Sequence, residues 1–322
     1  MGSNIAKPIV IASFIGTAFA SSLIIKDYFG GKKYEGCNTA ENKVIIITGA
    51  NTGIGLETAK ELAKKNAKVI MACRDVVKCE KARQDIVVDS KNKYVYCRKL
   101  DLSSLESIRN FSERFHDENN RLDILINNAG VMRCPYTKTK EGFELQLGVN
   151  HLGHFYLTNL LLDLLKKSAP SRIINVSSIA HTRGKINKDD LNSEKNYDPG
   201  DAYAQSKLAN ILFTKELASK LKDTGVTVNA VHPGIVDTEI TRHMGFAKSY
   251  VATLLLKPII WMFIKTPLQG AQTSLYAALS PDLDKVSGKY YSNCEEKEVA
   301  SQAKDEETAK WLWLVSEKWT RL

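Results

Sequence analysis

A tyrosine and a lysine one helical turn apart are the residues whose spacing most directly indicates chemistry. Tyr203 and Lys207 stand at positions i and i+4 of a predicted helix, so both side chains project from the same helix face. A free phenol has a pKa of about 10, so it needs a nearby cation to transfer protons efficiently near neutral pH. The pair therefore predicts a general acid and base, Tyr203, assisted by the charge of Lys207.

A serine at the end of a predicted strand extends this candidate set. Ser178 can donate a hydrogen bond to a substrate oxygen on which negative charge develops, and its neighbour Ser177 is the less favoured candidate. No G-x-S-x-G motif surrounds Ser178, which disfavours a hydrolase nucleophile. The 25 residues from Ser178 to Tyr203 predict an inserted loop at Lys185–Asp201 that shapes the pocket.

A glycine-rich segment follows the first predicted strand and leads into a predicted helix, Leu56–Asn66. Gly49 permits a tight turn, Gly53 lets the backbone approach a pyrophosphate, and Gly55 lets the helix pack closely on the strand. The helix N-terminus then points at the phosphates. Glycines that only shape a turn are the alternative, but the order of strand, glycines and helix favours a dinucleotide site.

The residues after the second predicted strand indicate which dinucleotide this is. An NAD site places an acidic residue there to bind the ribose 2′-hydroxyl, whereas this chain has Cys73 followed by Arg74. A guanidinium matches a phosphate with a planar fork of donors, so the sequence predicts NADP(H). The alternative is an Arg74 that is merely solvated or pairs with Asp75.

The elements that must position these residues alternate as short strands and longer helices. This order is typical of a doubly wound parallel β-sheet of the Rossmann type, with about seven strands and helices on both faces, in the α/β class. We expect one catalytic domain over residues 36–322. The predicted strands are Lys43–Thr48, Lys68–Cys73, Tyr94–Leu100, Leu122–Asn127, Arg172–Ser177, Thr227–His232 and Lys289–Ser292.

Composition sets limits on the function. The 322 residues fit one large α/β domain with a short appendage, and 43% hydrophobic with 25% charged residues predict a folded chain. The formal net charge of +9 comes from scattered Lys and Arg, with no dense basic run typical of nucleic-acid binding. We interpret the excess as favouring an anionic cofactor and a membrane surface, and we expect no nucleic-acid partner.

The cysteines and histidines indicate neither a disulfide scaffold nor a metal site. The six cysteines form no C-x-x-C pair, and a reducing compartment is the default expectation for the catalytic domain. His151 and His154 are spaced like metal ligands on a helix, but no third ligand group accompanies them, so packing roles are expected.

The N-terminal segment, residues 1–35, is predicted to be a membrane anchor and linker. Its uncharged run Pro8–Ile25 has 18 residues, which reaches the lower limit for spanning a bilayer core. A cleaved targeting segment is the alternative. Positive charge is heavier after the run (Lys26, Lys32, Lys33) than before it (Lys7), which predicts a catalytic domain on the cytoplasmic side.

These motifs together resemble the short-chain dehydrogenase/reductase family from about Asn42 to the C-terminus. Longer stretches at 150–154, 169–178 and 206–214 are similar to the microsomal and mitochondrial retinol dehydrogenases, and those at 23–28 and 131–135 resemble the retinol dehydrogenase 13 type. The motifs that carry the resemblance are Thr48–Gly55 (TGANTGIG), Asn127–Gly130 (NNAG), Asn150, Ser178, Tyr203–Lys207 (YAQSK) and Pro233–Gly234.

The resemblance implies roles for individual residues. Lys207 also holds the nicotinamide ribose hydroxyls, Asn150 steadies a water that relays protons to Lys207, Asp101 lies beside the adenine, and Thr238 contacts the nicotinamide carboxamide. Without the resemblance, Asn150 and Asp101 would read as capping residues. The catalytic set is Ser178, Tyr203, Lys207 and Asn150; the cofactor-binding set is Gly49, Asn51, Thr52, Gly53, Ile54, Gly55, Arg74, Asp101, Leu102, Asn128, Ala129, Gly130, Tyr203, Lys207, Pro233, Gly234 and Thr238.

The function predicted from the resemblance is NADP-dependent interconversion of retinol and retinal, mainly reduction of all-trans-retinal. An apolar lid near 238–267, containing Val251–Leu256 and Ile259–Ile264, is expected over the substrate and against lipid; an ordinary buried helix pair is the alternative. Other lipid aldehydes, steroids, or a non-catalytic NADPH-binding sensor are the other functions left open. The expected membrane is that of the endoplasmic reticulum or mitochondrion, and a homodimer is left open.

Overall fold

The computed structural model describes residues 6–36, 39–240 and 261–322. The chain folds around an eight-stranded sheet in the order β3-β2-β1-β4-β5-β6-β7-β8. Strands β1 to β7 pair in parallel and β8 pairs antiparallel with β7. The strands are β1 Val44–Thr48, β2 Lys68–Cys73, β3 Val95–Lys99, β4 Ile124–Asn127, β5 Ser171–Val176, β6 Val226–His232, β7 Tyr290–Ser292 and β8 Glu295–Glu296.

The predicted doubly wound sheet of seven parallel strands is confirmed, with one strand added at its edge. Strand β8 follows β7 through Asn293 and Cys294, both at a φ of 58°. Two consecutive residues with positive φ make the tight turn whose twist suits a two-residue hairpin. Cysteine is an unusual residue for such a turn, and this last strand was not predicted from the sequence.

Helices cover both faces of the sheet. The α-helices among the described residues are α1 Ala6–Gly30, α2 Gly53–Lys64, α3 Val76–Ser90, α4 Leu105–Glu118, α5 Leu145–Leu147, α6 Gly153–Leu160, α7 Leu162–Lys167, α8 Pro199–Lys220, α9 Pro267–Leu279 and α10 Glu306–Thr320. A π-helical turn, Gly148–Leu152, joins α5 to α6.

Side chains that alternate in direction along the central strand β1 explain why helices pack on both faces of the sheet. Ile45 and Ile47 of β1 pack in the cluster with α2, α3 and α9, while Ile46 packs in the cluster with α4, α6 and α8. Successive side chains of a strand point to opposite faces, so an unbroken apolar run such as β1 requires helices on both sides. All five residues of β1 are buried.

The strand order reverses next to β1, which has β2 on one side and β4 on the other. Open α/β sheets bind ligands in the crevice at the carboxyl ends of the strands at such a switch point. The loops after β1, β2, β3 and β4 meet there, and those after β5 and β6 lie beside them. The fold therefore brings the predicted site residues to one edge of the sheet.

One pair of cysteines forms a disulfide, although the sequence indicated no disulfide scaffold. Cys79 near the start of α3 forms a disulfide with Cys97 of β3, with 6.0 Å between their Cα atoms. Both side chains lie in the core between the helix and the sheet. The 18-residue separation is not a recognisable motif, because the pairing depends on how α3 packs on β3. Cys73, Cys134 and Cys294 form no disulfide among the described residues.

The N-terminal apolar run lies within α1. Among the described residues, no helix is both long and apolar enough to cross a membrane. The end of α1 contacts the segment that precedes α9, where the Lys26 ammonium donates to the Trp261 carbonyl at 2.7 Å and to the Ile264 carbonyl. The rings of Phe29 and Phe263 meet edge to face at 4.6 Å. Of the predicted lid, residues 241–260 lie outside the described residues.

Candidate active site

The glycine loop after β1 has the geometry of a phosphate cradle. Gly49 and Gly53 have φ of 66° and 58°, a region that L side chains rarely adopt. A Cβ at Gly55 would lie 2.5 Å from the Gly49 carbonyl oxygen, so the start of α2 packs too closely on the loop for any side chain. The structure thus has a tight turn at Gly49 and close packing at Gly55, and α2 begins at Gly53 with its N-terminus at the groove.

A groove of about 270 Å³ runs along this edge of the sheet. It gathers the loops after β1, β2, β3 and β4, as expected for a dinucleotide site. Its lining includes thirteen of the predicted cofactor residues, namely Gly49, Asn51, Thr52, Gly53, Ile54, Gly55, Arg74, Asp101, Leu102, Asn128, Ala129, Gly130 and Thr238. The other four, Tyr203, Lys207, Pro233 and Gly234, are not part of this lining.

The end of the groove after β2 carries two cations. Arg74 and Lys78 both line it, and both are exposed. Asp75 is the N-cap of α3, and its carboxylate accepts from the Lys78 backbone N–H at 3.0 Å. No ion pair joins Arg74 to Asp75 in the described part of the chain, against the alternative considered above. Burial raises the pKa of Cys73 to about 12, so this thiol stays neutral beside the cations.

Lys78 was missed by sequence reasoning. The available signal was the Asp75 cap, which starts a helix and places Lys78 at its third position, within one turn of Arg74. Because α3 begins at the groove, a residue in its first turn can reach the same ligand group as the residue that ends the preceding loop.

Ser178, Tyr203 and Lys207 meet at the carboxyl ends of β5 and β6. Tyr203 is buried, and the Lys207 ammonium lies 5.8 Å from the centre of the Tyr203 ring. Burial raises the pKa of Tyr203 to about 12, and the neighbouring Ser178 hydroxyl opposes that rise. Burial lowers the pKa of Lys207 to about 8. The protonated Tyr203 phenol can therefore donate a proton, and the Lys207 ammonium, whose pKa is lowered, can supply a second one.

Helix α8 holds Tyr203 and Lys207 in place. Asp198 caps the helix by accepting from the Gly200 and Asp201 backbone N–H groups, each at 2.8 Å. The Lys207 ammonium, in turn, donates to the Val176 carbonyl at 3.0 Å. The lysine is therefore anchored to β5 as well as to its own helix.

The two neighbouring serines after β5 have separate contacts. The Ser177 hydroxyl donates to the Lys207 carbonyl at 2.8 Å and is buried, so it ties β5 to α8. Ser178 is only half-buried, and its hydroxyl accepts from the Ala180 N–H at 3.2 Å. These contacts support Ser178 over Ser177 as the residue that faces a substrate.

Asn150 lies in the π-helical turn and is fully buried. Its side-chain oxygen accepts from the Val131 N–H at 2.8 Å, and its amide nitrogen donates to the Val131 carbonyl at 3.0 Å and to the Ser206 hydroxyl at 2.9 Å. A Cβ on Gly130 would lie 3.2 Å from the Asn150 oxygen and 3.6 Å from the Lys207 nitrogen. Asn150 thus joins the loop after β4 to α8, and π-helical turns are frequent at functional sites.

The loop after β6 reaches the groove through Thr238. Gly234 has a φ of 91°, and a Cβ there would lie 2.9 Å from the Lys265 side chain. Val236 forms a parallel β-bridge with Lys265. Thr238 lies against the glycine loop, 3.0 Å from where a Cβ on Gly53 would be.

The inserted loop between Ser178 and Tyr203 packs on the segment that follows the Asn-Ala-Gly loop. The Tyr197 hydroxyl donates to the Cys134 carbonyl at 2.6 Å, and the Gln146 amide donates to the Tyr197 hydroxyl at 2.9 Å. Its role in shaping a substrate pocket stays a prediction.

The two helical histidines make buried contacts within the core, as expected for packing roles. His151 Nε2 lies 3.0 Å from the Ser316 hydroxyl, and His154 Nε2 lies 2.9 Å from the Thr48 hydroxyl. Within the described residues there is no group of three or more His, Cys, Asp or Glu side chains that could hold a metal ion.

Comparison with known proteins identifies the family. Residues 43–247 match the family model of short chain dehydrogenases. The chain belongs to the short-chain dehydrogenase family. It is 52% identical to human retinol dehydrogenase 13 over 305 residues, covering 94% of this chain and 92% of that protein. It is also 52% identical to mouse retinol dehydrogenase 12 over 308 residues, covering 96% of each. This short-chain dehydrogenase is thus an oxidoreductase of the retinol dehydrogenase group.

Solved structures show the same fold. A structure of an uncharacterized Mycobacterium paratuberculosis protein is 37% identical to this short-chain dehydrogenase, with a TM-score of 0.72 over 90% of this chain and 98% of that one. A Shigella flexneri short chain dehydrogenase, solved in complex with NADP, is 23% identical, with a TM-score of 0.63 over 80% of this chain and 99% of that one.

Proposed function

We propose that the protein is an NADP(H)-dependent oxidoreductase that interconverts retinol and retinal, chiefly by reducing all-trans-retinal with NADPH. The observation that carries this proposal is that a dinucleotide groove and the cluster of Ser178, Tyr203 and Lys207 lie at one sheet edge, with Gly130 of the groove lining beside the Lys207 ammonium. The retinol dehydrogenases to which the chain is similar supply the substrate class.

The residues of the groove fit NADP(H). The close approach of Gly55 to Gly49 leaves a turn with room for phosphate oxygens against backbone N–H groups at the start of α2. Arg74 and Lys78 supply two positive charges where an NAD site has a carboxylate. A Shigella flexneri short chain dehydrogenase of the same fold was solved in complex with NADP. These features support a 2′-phosphate on the bound cofactor.

In carbonyl reduction, bound NADPH supplies the hydride that the substrate carbon receives. Tyr203 donates a proton to the substrate oxygen, and Ser178 donates a hydrogen bond to the same oxygen as its negative charge grows. Lys207, whose pKa is lowered to about 8, can then return a proton to the tyrosine phenolate. Because burial raises the pKa of Tyr203 to about 12, the phenol carries its proton at neutral pH and is available as the donor in carbonyl reduction.

The substrate assignment is tested by comparing carbonyl classes. We expect kcat/KM with NADPH to be higher for all-trans-retinal than for a medium-chain aldehyde or a ketosteroid, in detergent-solubilised full-length protein. A dominant ketosteroid would overturn the retinoid assignment while leaving the oxidoreductase assignment intact. Tight NADPH binding without turnover of any of the three would instead favour a non-catalytic sensor.

The proposal includes attachment to a lipid surface through α1. Large apolar side chains are exposed on the second half of this helix and on the segment that it contacts, where Tyr28 is 80% and Ile24 70% exposed. Aromatic residues beside lysines are typical of membrane interfaces. The exposed members are Phe19, Leu23, Ile24, Ile25, Tyr28, Phe29, Trp261 and Phe263. We place the catalytic domain on the cytoplasmic side of the endoplasmic reticulum or mitochondrial membrane.

Fractionation tests this attachment. Alkaline carbonate should fail to extract the full-length protein, and a chain that begins at Lys32 should partition less to membranes while keeping NADPH turnover. Intact protein found wholly in the soluble fraction would refute the attachment.

A further inference from the structure

Thr48, the last residue of β1, has a hydroxyl whose hydrogen bonds can be assigned. Its oxygen accepts from the backbone N–H groups of Asn128 and Ala129, each at 2.9 Å. A hydroxyl with both acceptor positions in use has only its proton left to give. His154 Nε2 lies 2.9 Å away, whereas the alternative acceptor, the Ile126 carbonyl, lies at 3.5 Å. Thr48 therefore donates to His154 Nε2.

The second ring nitrogen of His154 has an equally defined partner. Its Nδ1 lies 3.0 Å from the Asn150 carbonyl oxygen, which can only accept, so Nδ1 carries the proton. The ring is then a neutral imidazole in one tautomer, a donor at one nitrogen and an acceptor at the other. Burial lowers the pKa of His154 to about 4, so this neutral form persists throughout the physiological range.

The resulting chain of hydrogen bonds connects the cofactor groove with the catalytic helix. It runs from the Asn128 and Ala129 N–H groups through Thr48 and His154 to the Asn150 carbonyl. The Asn150 side chain then binds Val131 and the Ser206 hydroxyl, next to Lys207 on α8. Every group on this path between Thr48 and Ser206 is buried or part-buried.

We propose that His154 is a positioning residue that fixes the loop after β4, which lines the groove, relative to Asn150 and hence to Lys207. The inference rests on the proposed function, because it concerns how the bound dinucleotide meets the proton-donating residues. A histidine that only fills the core would need neither nitrogen in a specific tautomer, whereas both nitrogens here have a partner.

His154→Phe and His154→Gln test the proposal. Phenylalanine keeps the approximate volume and removes both hydrogen bonds, while glutamine offers a donor and an acceptor on a side chain of similar reach. We expect His154→Phe to lower kcat for all-trans-retinal by about tenfold or more and to change KM for retinal less, because a lost buried hydrogen bond displaces the loop rather than the apolar substrate contacts. Glutamine should recover part of the lost kcat.

His151→Phe is the matched control. It replaces a histidine three residues away that is just as buried but contacts Ser316 of α10, away from the groove. We expect it to lower the unfolding midpoint by as much as His154→Phe or more while leaving kcat within about threefold, since its contacts are structural. Equal kcat losses in both variants, or unchanged kcat in His154→Phe, would overturn the positioning role.

A binding measurement distinguishes a failure of the positioning role from a failure of the proposed function. NADPH dissociation constants, measured by quenching of protein fluorescence without substrate, should rise in His154→Phe and in Thr48→Val, and rise less in Thr48→Ser, which retains the hydroxyl. If His154→Phe fails to fold, the Thr48 pair decides the question, and equal NADPH affinity in Thr48→Val and Thr48→Ser would overturn it. Wild-type protein that binds NADPH but does not reduce retinal would refute the substrate assignment alone.

Discussion

Two parts of the active-site groove are held in different ways. At the phosphate end, the loop after β4 is joined to the end of β1 by two part-buried hydrogen bonds to the Thr48 hydroxyl. On the side of β6, the loop after that strand forms an isolated bridge with Lys265, and the segment that contains Lys265 is held by Lys26 of α1 through the Trp261 and Ile264 carbonyls. The first part depends on the protein core and the second on the N-terminal helix.

We infer from this difference that one set of contacts supports the reaction and the other controls how the substrate enters. Core hydrogen bonds fix the groove and the catalytic cluster, so substitutions there should alter kcat and cofactor binding. The contacts around Lys26, Trp261 and Phe263 lie at the surface beside the proposed lipid contact, so substitutions there should alter how an apolar substrate enters.

The largest effect is expected at Tyr203. Replacement by phenylalanine removes the proton donor without changing the phosphate cradle, so kcat should fall by about 10²-fold to 10⁴-fold. The NADPH dissociation constant should stay within about twofold of wild type, because the ring and its packing remain. Steady-state kinetics and fluorescence titration measure the two quantities. Substantial residual turnover would show that another group supplies the proton.

Lys207→Ala should damage both functions. The ammonium is anchored at Val176 and lies beside Tyr203 and Gly130, so its removal takes away a charge shared by the proton path and the groove. We expect kcat to fall by at least about tenfold and NADPH affinity to fall as well. Unchanged NADPH affinity would limit Lys207 to the proton path.

At the phosphate end, Arg74 and Lys78 should determine cofactor preference. Arg74→Asp should weaken NADPH binding by about tenfold to a hundredfold, since charge-assisted hydrogen bonds are replaced by repulsion. Lys78→Ala should cause a smaller loss, and NADH affinity should change little in either variant because it lacks the 2′-phosphate. Equal NADPH and NADH constants in the wild-type protein would contradict the assignment.

At the substrate end, Lys26→Met should raise KM for all-trans-retinal by a few-fold with little change in NADPH affinity. Methionine keeps much of the length of lysine but cannot donate to the Trp261 and Ile264 carbonyls. Lys33→Met is the matched control, because Lys33 is exposed on the linker that follows α1. The same KM change in both variants would mean that lost positive charge, rather than the contact, is responsible.

The smallest effect is a loss of stability in mild acid that arises from the buried histidines. Burial lowers the pKa of His154 and His232 to about 4 and that of His151 to about 3. Lys207 also lowers the first two of these pKa values, Lys265 and His181 contribute at His232, and His154 contributes at His151. Since the unfolded chain binds protons near pH 6.5, their stabilising effect is complete above that pH and is lost as pH falls toward 4.

Denaturant midpoints at pH 7 and pH 5 measure this loss in a range where most carboxylates stay ionised. We expect the midpoint to fall between these pH values in wild type and to fall less in His154→Gln. An identical decrease in His154→Gln would assign the acid sensitivity to other groups.

Local sequence patterns were enough to predict those parts of the site whose residues are close together in the chain. The strand, the glycines and the helix of the first unit depend on neighbouring residues, and so does the i and i+4 spacing of Tyr203 and Lys207. The predicted strand, turn and helix are present in the fold because backbone turns and helical periodicity are short-range properties. The same reasoning found Arg74 but overlooked Lys78, which reaches the groove only because α3 starts there.

Tertiary structure alone decided the contacts between distant segments. His154 lies 106 residues from Thr48, and Lys26 lies 235 residues from Trp261, so no local pattern could connect them. The Cys79–Cys97 disulfide likewise depends on how α3 packs against β3. The sequence by itself determined which groups could bind a dinucleotide and move a proton, since those abilities belong to residue types at local spacings. Their distances and protonation states were set by packing, because burial and hydrogen bonding arise only when the sheet brings remote loops together.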